Sequence, residues 1–154
     1  MYWFIATFGG VGYAKKAPGT WGSLAAVPFA AAVAYLGGFS AMFLTAVVLY
    51  FAGAWSVGKV TGATGDLDPQ QAVIDEVVGV FVTLLPFSGI LKGSWSHWWL
   101  YPAAFVLFRV FDILKPWPVG WIDRRIRNAH GVMLDDVAAG VMAAAVLYLA
   151  GLFI

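Results

Sequence analysis

Five apolar runs, separated by short polar segments, constrain the fold of this chain more than any other feature. We place them at about residues 21–37, 39–59, 72–91, 97–114 and 132–154, near the roughly 20 residues that an α-helix needs to cross a bilayer. Hydrophobic residues make up 62% of the chain and charged residues only 11%, well below a typical soluble domain. The sequence therefore predicts an all-α integral membrane protein, a single domain over residues 1–154 with about five transmembrane helices in a compact bundle.

The start of the chain does not fit the same pattern. Residues 1–14 are aromatic and glycine-rich, and they are too few to span a bilayer. We expect them to form a short interfacial or re-entrant segment beside the bundle.

Threading five spans through a bilayer places nearly all the charge on one side. Eight of the nine Lys and Arg residues lie on or near the side where spans one, three and five begin, and only Lys92 lies on the other. Loops rich in Lys and Arg stay in the cytoplasm. All eight acidic residues collect on that same side, so we expect a crowded, polar, cytoplasmic face.

Adjacent acid pairs open two of the apolar runs. Asp75 and Glu76 begin the third, and Asp135 and Asp136 begin the fifth. Acids at a helix start are favoured by the helix dipole, which is one explanation of each pair. The other explanation is a metal site, because adjacent carboxylates repel unless a cation neutralises them, and four on two helices offer the oxygen ligands that Mg²⁺ prefers. Asp68, in the preceding loop, is a further candidate ligand.

Small residues follow the acid pairs at helical spacing. Gly79 lies four residues after Asp75, and Gly140 lies four residues after Asp136, so each glycine shares a helix face with an acid. Small residues on such faces let membrane helices approach closely.

Arg109, Asp112 and Lys115 are spaced by three and form one stripe on the fourth predicted helix. Arg109 and Asp112 can simply neutralise each other as an ion pair. Alternatively, Arg109 and Lys115 bind a phosphate, for which the Arg guanidinium is well suited, while Asp112 moves a proton or completes a metal site.

The turn from Gly19 to Ser23 is a third candidate element. Backbone N–H groups at a helix start favour anions, and the hydroxyls of Thr20 and Ser23 can add hydrogen bonds. The turn lacks the Gly-Lys-Ser/Thr ending of a P-loop.

The composition also excludes several kinds of chemistry. The chain has no cysteine, so thiol nucleophiles and thiolate metal sites are absent, and two histidines are too few for a His-rich zinc site. We expect no nucleic-acid partner, and the oligomeric state is left open.

Four ordered segments resemble the phosphatidylglycerophosphatase A family. They are Pro18–Ala26, Asp68–Gly79, Phe108–Pro118 with Asp123 beyond it, and Gly131–Gly140. The resemblance implies a Mg²⁺-dependent enzyme of the bacterial inner membrane. Such an enzyme removes the terminal phosphate of phosphatidylglycerol phosphate and gives phosphatidylglycerol and inorganic phosphate.

The hypothesis that follows assigns each candidate residue a role. The metal ligands are Asp75, Glu76, Asp135 and Asp136, with Asp68 as a fifth candidate. Arg109, Lys115, Thr20, Ser23 and Asp123 form the substrate-binding set. Asp112 is the candidate base, and Asp112 or Asp75 the nucleophile if a phosphoenzyme forms; Arg109 stabilises developing charge.

Two other functions use acids at a membrane edge. A CDP-alcohol phosphatidyltransferase places several Asp residues on consecutive helices within an Asp-Gly-x-x-Ala-Arg signature, which is missing here. A divalent-cation transporter needs polar groups that continue toward the far face, whereas the runs beyond Glu76 and Asp136 carry no charge.

Overall fold

The computed structural model describes residues 1–151, and every regular element in that range is helical, which confirms the all-α prediction. Two 3-10 turns, Val11–Tyr13 and Leu85–Phe87, join the α-helices. The helices are α1 (Tyr2–Ala6), α2 (Pro18–Thr64), α3 (Ile74–Leu84), α4 (Ser88–Leu91), α5 (Leu100–Leu114), α6 (Val119–Arg125) and α7 (Ala129–Gly151).

The first two predicted spans form one 47-residue element, α2, with a sharp break at Gly38. Gly38 has φ 61° and ψ −145°, a backbone conformation that glycine adopts without the strain of a side chain. The segment after α4 lies against this break, where the Gly93 N–H donates to the Tyr35 carbonyl at 2.9 Å. Gly22 and Gly53, on opposite sides of the break, both lie against the start of α3. The chain therefore reverses direction at Gly38, between the predicted spans 21–37 and 39–59.

Within residues 1–151, three helical segments are long and apolar enough to cross a membrane: Pro18–Thr64, Ile74–Leu91 and Ala129–Gly151. The second of these contains α3, the 3-10 turn at Leu85–Phe87 and α4; the turn includes Pro86, which has no N–H to donate to a continuous helix. The predicted fourth span is shorter than expected, since α5 has 15 residues and begins at Leu100. Residues 152–154 of the predicted fifth span lie outside the described residues.

One helix was absent from the sequence prediction. Residues 115–131 were expected to form a charged loop, but α6 occupies Val119–Arg125 within them. Seven residues are too few to show a helical hydrophobic period. The helix depends on tertiary contacts, which bury its first two residues, Val119 and Gly120.

The N-terminal segment packs against the residues that lead into α3. The Val73 N–H donates to the Ala6 carbonyl at 2.8 Å, and Gly12 lies directly against the Gln71 carbonyl. A side chain on Gly12 would collide with that backbone oxygen. The segment thus fixes the position from which α3 starts.

Helix α3 is the centre of the bundle and packs against α2, α5 and α7. Its close contact with α7 runs through two glycines, since a β-carbon on Gly140 would lie 2.6 Å from the Gly79 carbonyl oxygen. The buried Thr83 hydroxyl donates to the Gly79 carbonyl at 2.9 Å and reaches the Gly140 carbonyl at 3.3 Å. The close approach to α7 is therefore confirmed at Gly140, whereas the missing side chain of Gly79 makes room for the Phe108 ring of α5.

We expect Gly140→Ala to destabilise the protein by roughly 1–3 kcal/mol, because the added methyl group meets backbone that cannot rotate away. Thermal unfolding in detergent measures the loss. Gly62→Ala is the matched control, since nothing lies within 4 Å of a β-carbon at that position of α2. Equal melting temperatures for the two variants would contradict this account of the α3–α7 contact.

Candidate active site

Helices α2, α3 and α7 begin, and α5 ends, around one cavity of about 780 Å³. All nine charged candidates from the sequence line it, together with backbone at the three helix starts. These candidates are Asp68, Asp75, Glu76, Arg109, Asp112, Lys115, Asp123, Asp135 and Asp136. Residues from five separate stretches of chain thus converge on a single polar chamber.

Three carboxylates lie close enough together to share a cation. One oxygen from each of Asp75, Glu76 and Asp136 lies within 4.8 Å of the others. Asp75 and Asp136 are buried, and an oxygen on each of the three side chains has no hydrogen-bond partner among the described residues. Buried carboxylate oxygens without partners carry a large desolvation penalty, which a bound cation would offset.

Asp135 stands apart from that cluster. Its Oδ2 accepts a 2.8 Å hydrogen bond from Lys115 Nζ, and its Oδ1 accepts the Asp136 backbone N–H at 3.1 Å. Lys115 Nζ also donates to Asp123 Oδ1 at 2.7 Å. Burial alone lowers the pKa of Lys115, but its two carboxylate partners outweigh burial and raise that pKa above its ordinary value. Lys115 is therefore a permanent positive charge at the cavity wall.

Arg109 lies between Asp112 and the cluster of three carboxylates. Its Nη1 donates to Asp112 Oδ2 within the same helix and lies 3.8 Å from Glu76 Oε1. The Arg109–Asp112 ion pair that the sequence left as an alternative is present. It does not use the whole guanidinium, since the buried Nε has no partner among the described residues.

Asp68 lies at the cavity wall on the loop before α3. Burial raises the pKa of its carboxyl, and the nearby Asp123, Asp66 and Asp112 add to that rise, while Lys115 opposes it. The structure does not include Asp68 in the cluster of three carboxylates. Its role as a ligand stays a prediction.

The turn at the start of α2 reaches the site through Gly19 rather than through its hydroxyls. A β-carbon on Gly19 would collide with Glu76 Oε1 and lie 3.3 Å from Arg109 Nη1. Thr20 and Ser23 are not among the lining residues, and the buried Ser23 hydroxyl donates to the Gly19 carbonyl at 2.8 Å. The expected contact of Thr20 and Ser23 with substrate is not seen in this arrangement.

Helix starts supply further positive potential to the cavity. The lining includes Pro18 and Gly19 at the start of α2, Asp75 and Glu76 at the start of α3, and Asn128 before α7. Asn128 caps α7, since its Oδ1 accepts the Gly131 N–H at 3.1 Å. Helix N-termini stabilise anions through free N–H groups and the helix dipole, so the chamber is suited to a phosphate as well as to a cation.

Sequence reasoning missed four polar residues of the lining. Gln70, Arg124, Arg127 and Asn128 all border the cavity. The two arginines were treated only as markers of membrane sidedness. The Asn128-x-x-Gly131 spacing at the start of an apolar run is the capping signal that would have located the beginning of α7.

Comparison with known proteins finds relatives over nearly the whole chain. The family model for phosphatidylglycerophosphatase A matches residues 4–151. A phosphatidylglycerophosphatase A of Haemophilus influenzae is 37% identical over 90% of this chain and 82% of its own length. The Escherichia coli protein of the same name is 35% identical over 97% of this chain and 83% of its own.

A third relative carries a different name. This Bacteroides thetaiotaomicron protein, provisionally named a phosphatidylinositol-3-phosphatase, is 41% identical over 89% of the chain and 85% of its own length. No solved structure matches the chain.

An all-helical fold whose helix starts and buried acids surround one polar chamber, in a chain with these relatives, defines a phosphatase. Within that class, the chain belongs to the phosphatidylglycerophosphatase A family.

We expect Lys115→Met to destabilise the fold by roughly 1–3 kcal/mol, because it leaves the buried Asp135 carboxylate without its cation. Chemical or thermal unfolding in detergent measures the change. Lys59→Met is the control, since Lys59 is exposed and forms no ion pair with the described residues. The double variant Lys115→Met/Asp135→Asn should recover stability; no recovery would argue that the lysine acts through something other than this pair.

Proposed function

We propose that the chain hydrolyses the phosphomonoester of phosphatidylglycerol phosphate with Mg²⁺, at the cytoplasmic edge of a bacterial inner membrane. Family membership supports the reaction and the lipid substrate. One structural observation supports the proposal above all: unpartnered oxygens of Asp75, Glu76 and Asp136 share a chamber with Arg109 and Lys115. The chamber thus offers places for a cation and for the phosphate that it would activate.

The carboxylates fit a divalent cation by their chemistry. They offer hard oxygen ligands, and Mg²⁺ typically takes a few carboxylates and completes its shell with water and substrate phosphate. Asp75, Glu76 and Asp136 are the ligand set we favour, with Asp135 and Asp68 as candidates for an outer role. A bound Mg²⁺ would supply charge that polarises the phosphomonoester.

The chain's own groups then account for substrate binding and proton transfer. Arg109, through its unpartnered Nε, and Lys115 hold the phosphoryl oxygens, and the starts of α2 and α7 add backbone N–H groups. Asp123 holds the Lys115 ammonium in place. Asp112, which pairs with Arg109, takes the proton of the water that attacks phosphorus. The bond from phosphorus to the glycerol oxygen breaks, and Asp112 passes the proton to that oxygen.

The membrane topology we propose has five spans. The two parts of α2 on either side of Gly38, then α3 continued through α4, α5 and α7 would each cross the bilayer. Large apolar side chains that cover the outside of these helices support contact with lipid, for example Phe43, Phe51, Val106 and Leu149. The cavity then opens at the cytoplasmic surface, and the α2 break at Gly38 lies near the opposite one.

The natural absence of cysteine makes this topology directly testable. We expect single cysteines at Lys59 and Arg125 to resist a membrane-impermeant maleimide in intact cells and to react after the membrane is opened. A cysteine at Ser94, in the segment between α4 and α5, should react in intact cells. Labelling of all three positions from the same side would contradict the five-span arrangement.

Asp75→Asn and Asp136→Asn test the metal site. We expect each to lower kcat by on the order of a hundredfold or more, because each removes a charged ligand from the cluster. Phosphate release from phosphatidylglycerol phosphate measures activity, and EDTA should abolish it until Mg²⁺ is restored. Mg²⁺ should also raise the melting temperature of the wild type but not of these variants.

Asp66→Asn is the matched control for the acid substitutions. Asp66 is exposed and lies outside the cavity lining, and an asparagine keeps the oxygen that accepts the Asp68 N–H at 3.1 Å. Full activity of Asp136→Asn, or full wild-type activity in EDTA, would overturn the metal mechanism. Divalent-cation flux without phosphate release would favour a transporter instead.

Phosphatidylinositol 3-phosphate is the informative competing substrate, because the Bacteroides relative is named for it. Its headgroup resembles that of phosphatidylglycerol phosphate in one respect: each carries a phosphodiester on the lipid side and a phosphomonoester farther out.

A further inference from the structure

We infer that Arg124 and Arg127 bind the phosphodiester of the lipid substrate, so that the enzyme has a second phosphate subsite at the rim of its cavity. This inference rests on the proposed function, which places the phosphomonoester deeper, against Arg109 and Lys115. It assigns a role in recognition to two residues that the chemical step does not use.

The four cations of the chamber fall into two pairs. Arg109 and Lys115 are partly buried, and both are paired with carboxylates. Arg124 and Arg127 also line the cavity, but they are exposed and neither forms an ion pair with the described residues. The rim therefore carries two uncompensated positive charges beside a chamber whose deeper cations are already neutralised by acids.

Local structure holds both arginines at this rim. The Arg124 side chain lies across its own helix, with Nη1 3.3 Å from the position of a β-carbon on Gly120, whose close neighbour is the Lys115 carbonyl. Arg127 lies in the turn between α6 and α7. That turn is held on one side by the Ile126 carbonyl, which lies directly against Gly131, and on the other by the Asn128 cap of α7.

The depth of this segment in the bilayer matches a phosphodiester. Trp117 is 80% exposed and Trp121 is 48% exposed, and exposed tryptophans favour the headgroup region. In phosphatidylglycerol phosphate the diester lies at that depth, next to the acyl chains, and one flexible glycerol unit separates it from the monoester. A substrate that reaches the buried acids with its monoester would thus leave its diester beside Arg124 and Arg127.

General attraction of basic residues to anionic lipid is the competing explanation, and Arg125 distinguishes it from a diester subsite. Arg125 lies between Arg124 and Arg127 in sequence, is exposed and has the same charge, but it is not part of the cavity lining. Loss of any of the three arginines would weaken surface attraction equally, whereas a diester subsite depends on Arg124 and Arg127 alone.

The experiment measures kcat and KM on phosphatidylglycerol phosphate in neutral detergent micelles for Arg124→Ala, Arg127→Ala and Arg125→Ala, with helicity checked by circular dichroism. We expect about a tenfold rise in KM for each of the first two with kcat nearly unchanged, because the lost contact is the same in the ground and transition states. Arg125→Ala should match the wild type. Inhibition by inorganic phosphate, which carries no diester, should be the same in all four proteins.

Several results would overturn the inference. These are an unchanged KM in Arg124→Ala and Arg127→Ala, an equal rise in Arg125→Ala, or a fall in kcat with weaker inhibition by inorganic phosphate. Arg124→Gln and Arg127→Gln replace the alanine variants if those fail to fold. A wild-type protein that releases no phosphate would refute the proposed function itself, and the inference with it. An active wild type whose KM is unchanged by the Arg124 and Arg127 substitutions would refute the inference alone.

Discussion

The repulsion among carboxylates gathered at the starts of apolar helices is the constraint on which the rest of the structure depends. Asp75, Glu76 and Asp136 are held within a few ångströms of one another by α3 and α7, and no Lys or Arg among residues 1–151 forms ion pairs with all three. The packing energy of the bundle has to hold them there. The close α3–α7 contact through Gly79 and Gly140, one turn below the acids, provides that packing without bulky side chains to separate the helices.

The basic side chains of the cavity pair mainly with the acids that surround the three central carboxylates. Lys115 pairs with Asp135 and Asp123, and Arg109 pairs with Asp112 while touching Glu76 at a distance. Asp112, Asp123 and Asp135 thus each have a basic partner, whereas Asp75 and Asp136 have none among the described residues and Glu76 has only the 3.8 Å contact with Arg109. A divalent cation bound to the central carboxylates, as proposed above, would supply the missing positive charge.

The basic residues of the cavity lie at two different places. Arg109 and Lys115 lie in the chamber, and Arg124 and Arg127 lie at its rim. The five-span topology proposed above would also place all four on the cytoplasmic side. A sidedness signal and a binding site can therefore be built from the same residues, which is why charge counting alone does not reveal the second role.

The sequence by itself determined the helical class, the break at Gly37-Gly38, the glycine contact between α3 and α7, and most of the acidic and basic residues of the cavity. These features follow from apolar run length, glycine spacing and the cost of charge near lipid, which are local properties. Only the tertiary structure decided that Asp135 belongs with Lys115 rather than with Asp136, and that Gly19 rather than Ser23 faces the site. It also decided that α6 exists and brings Arg124 to the cavity rim, because pairing and short helices depend on distances between segments that no single stretch of sequence contains.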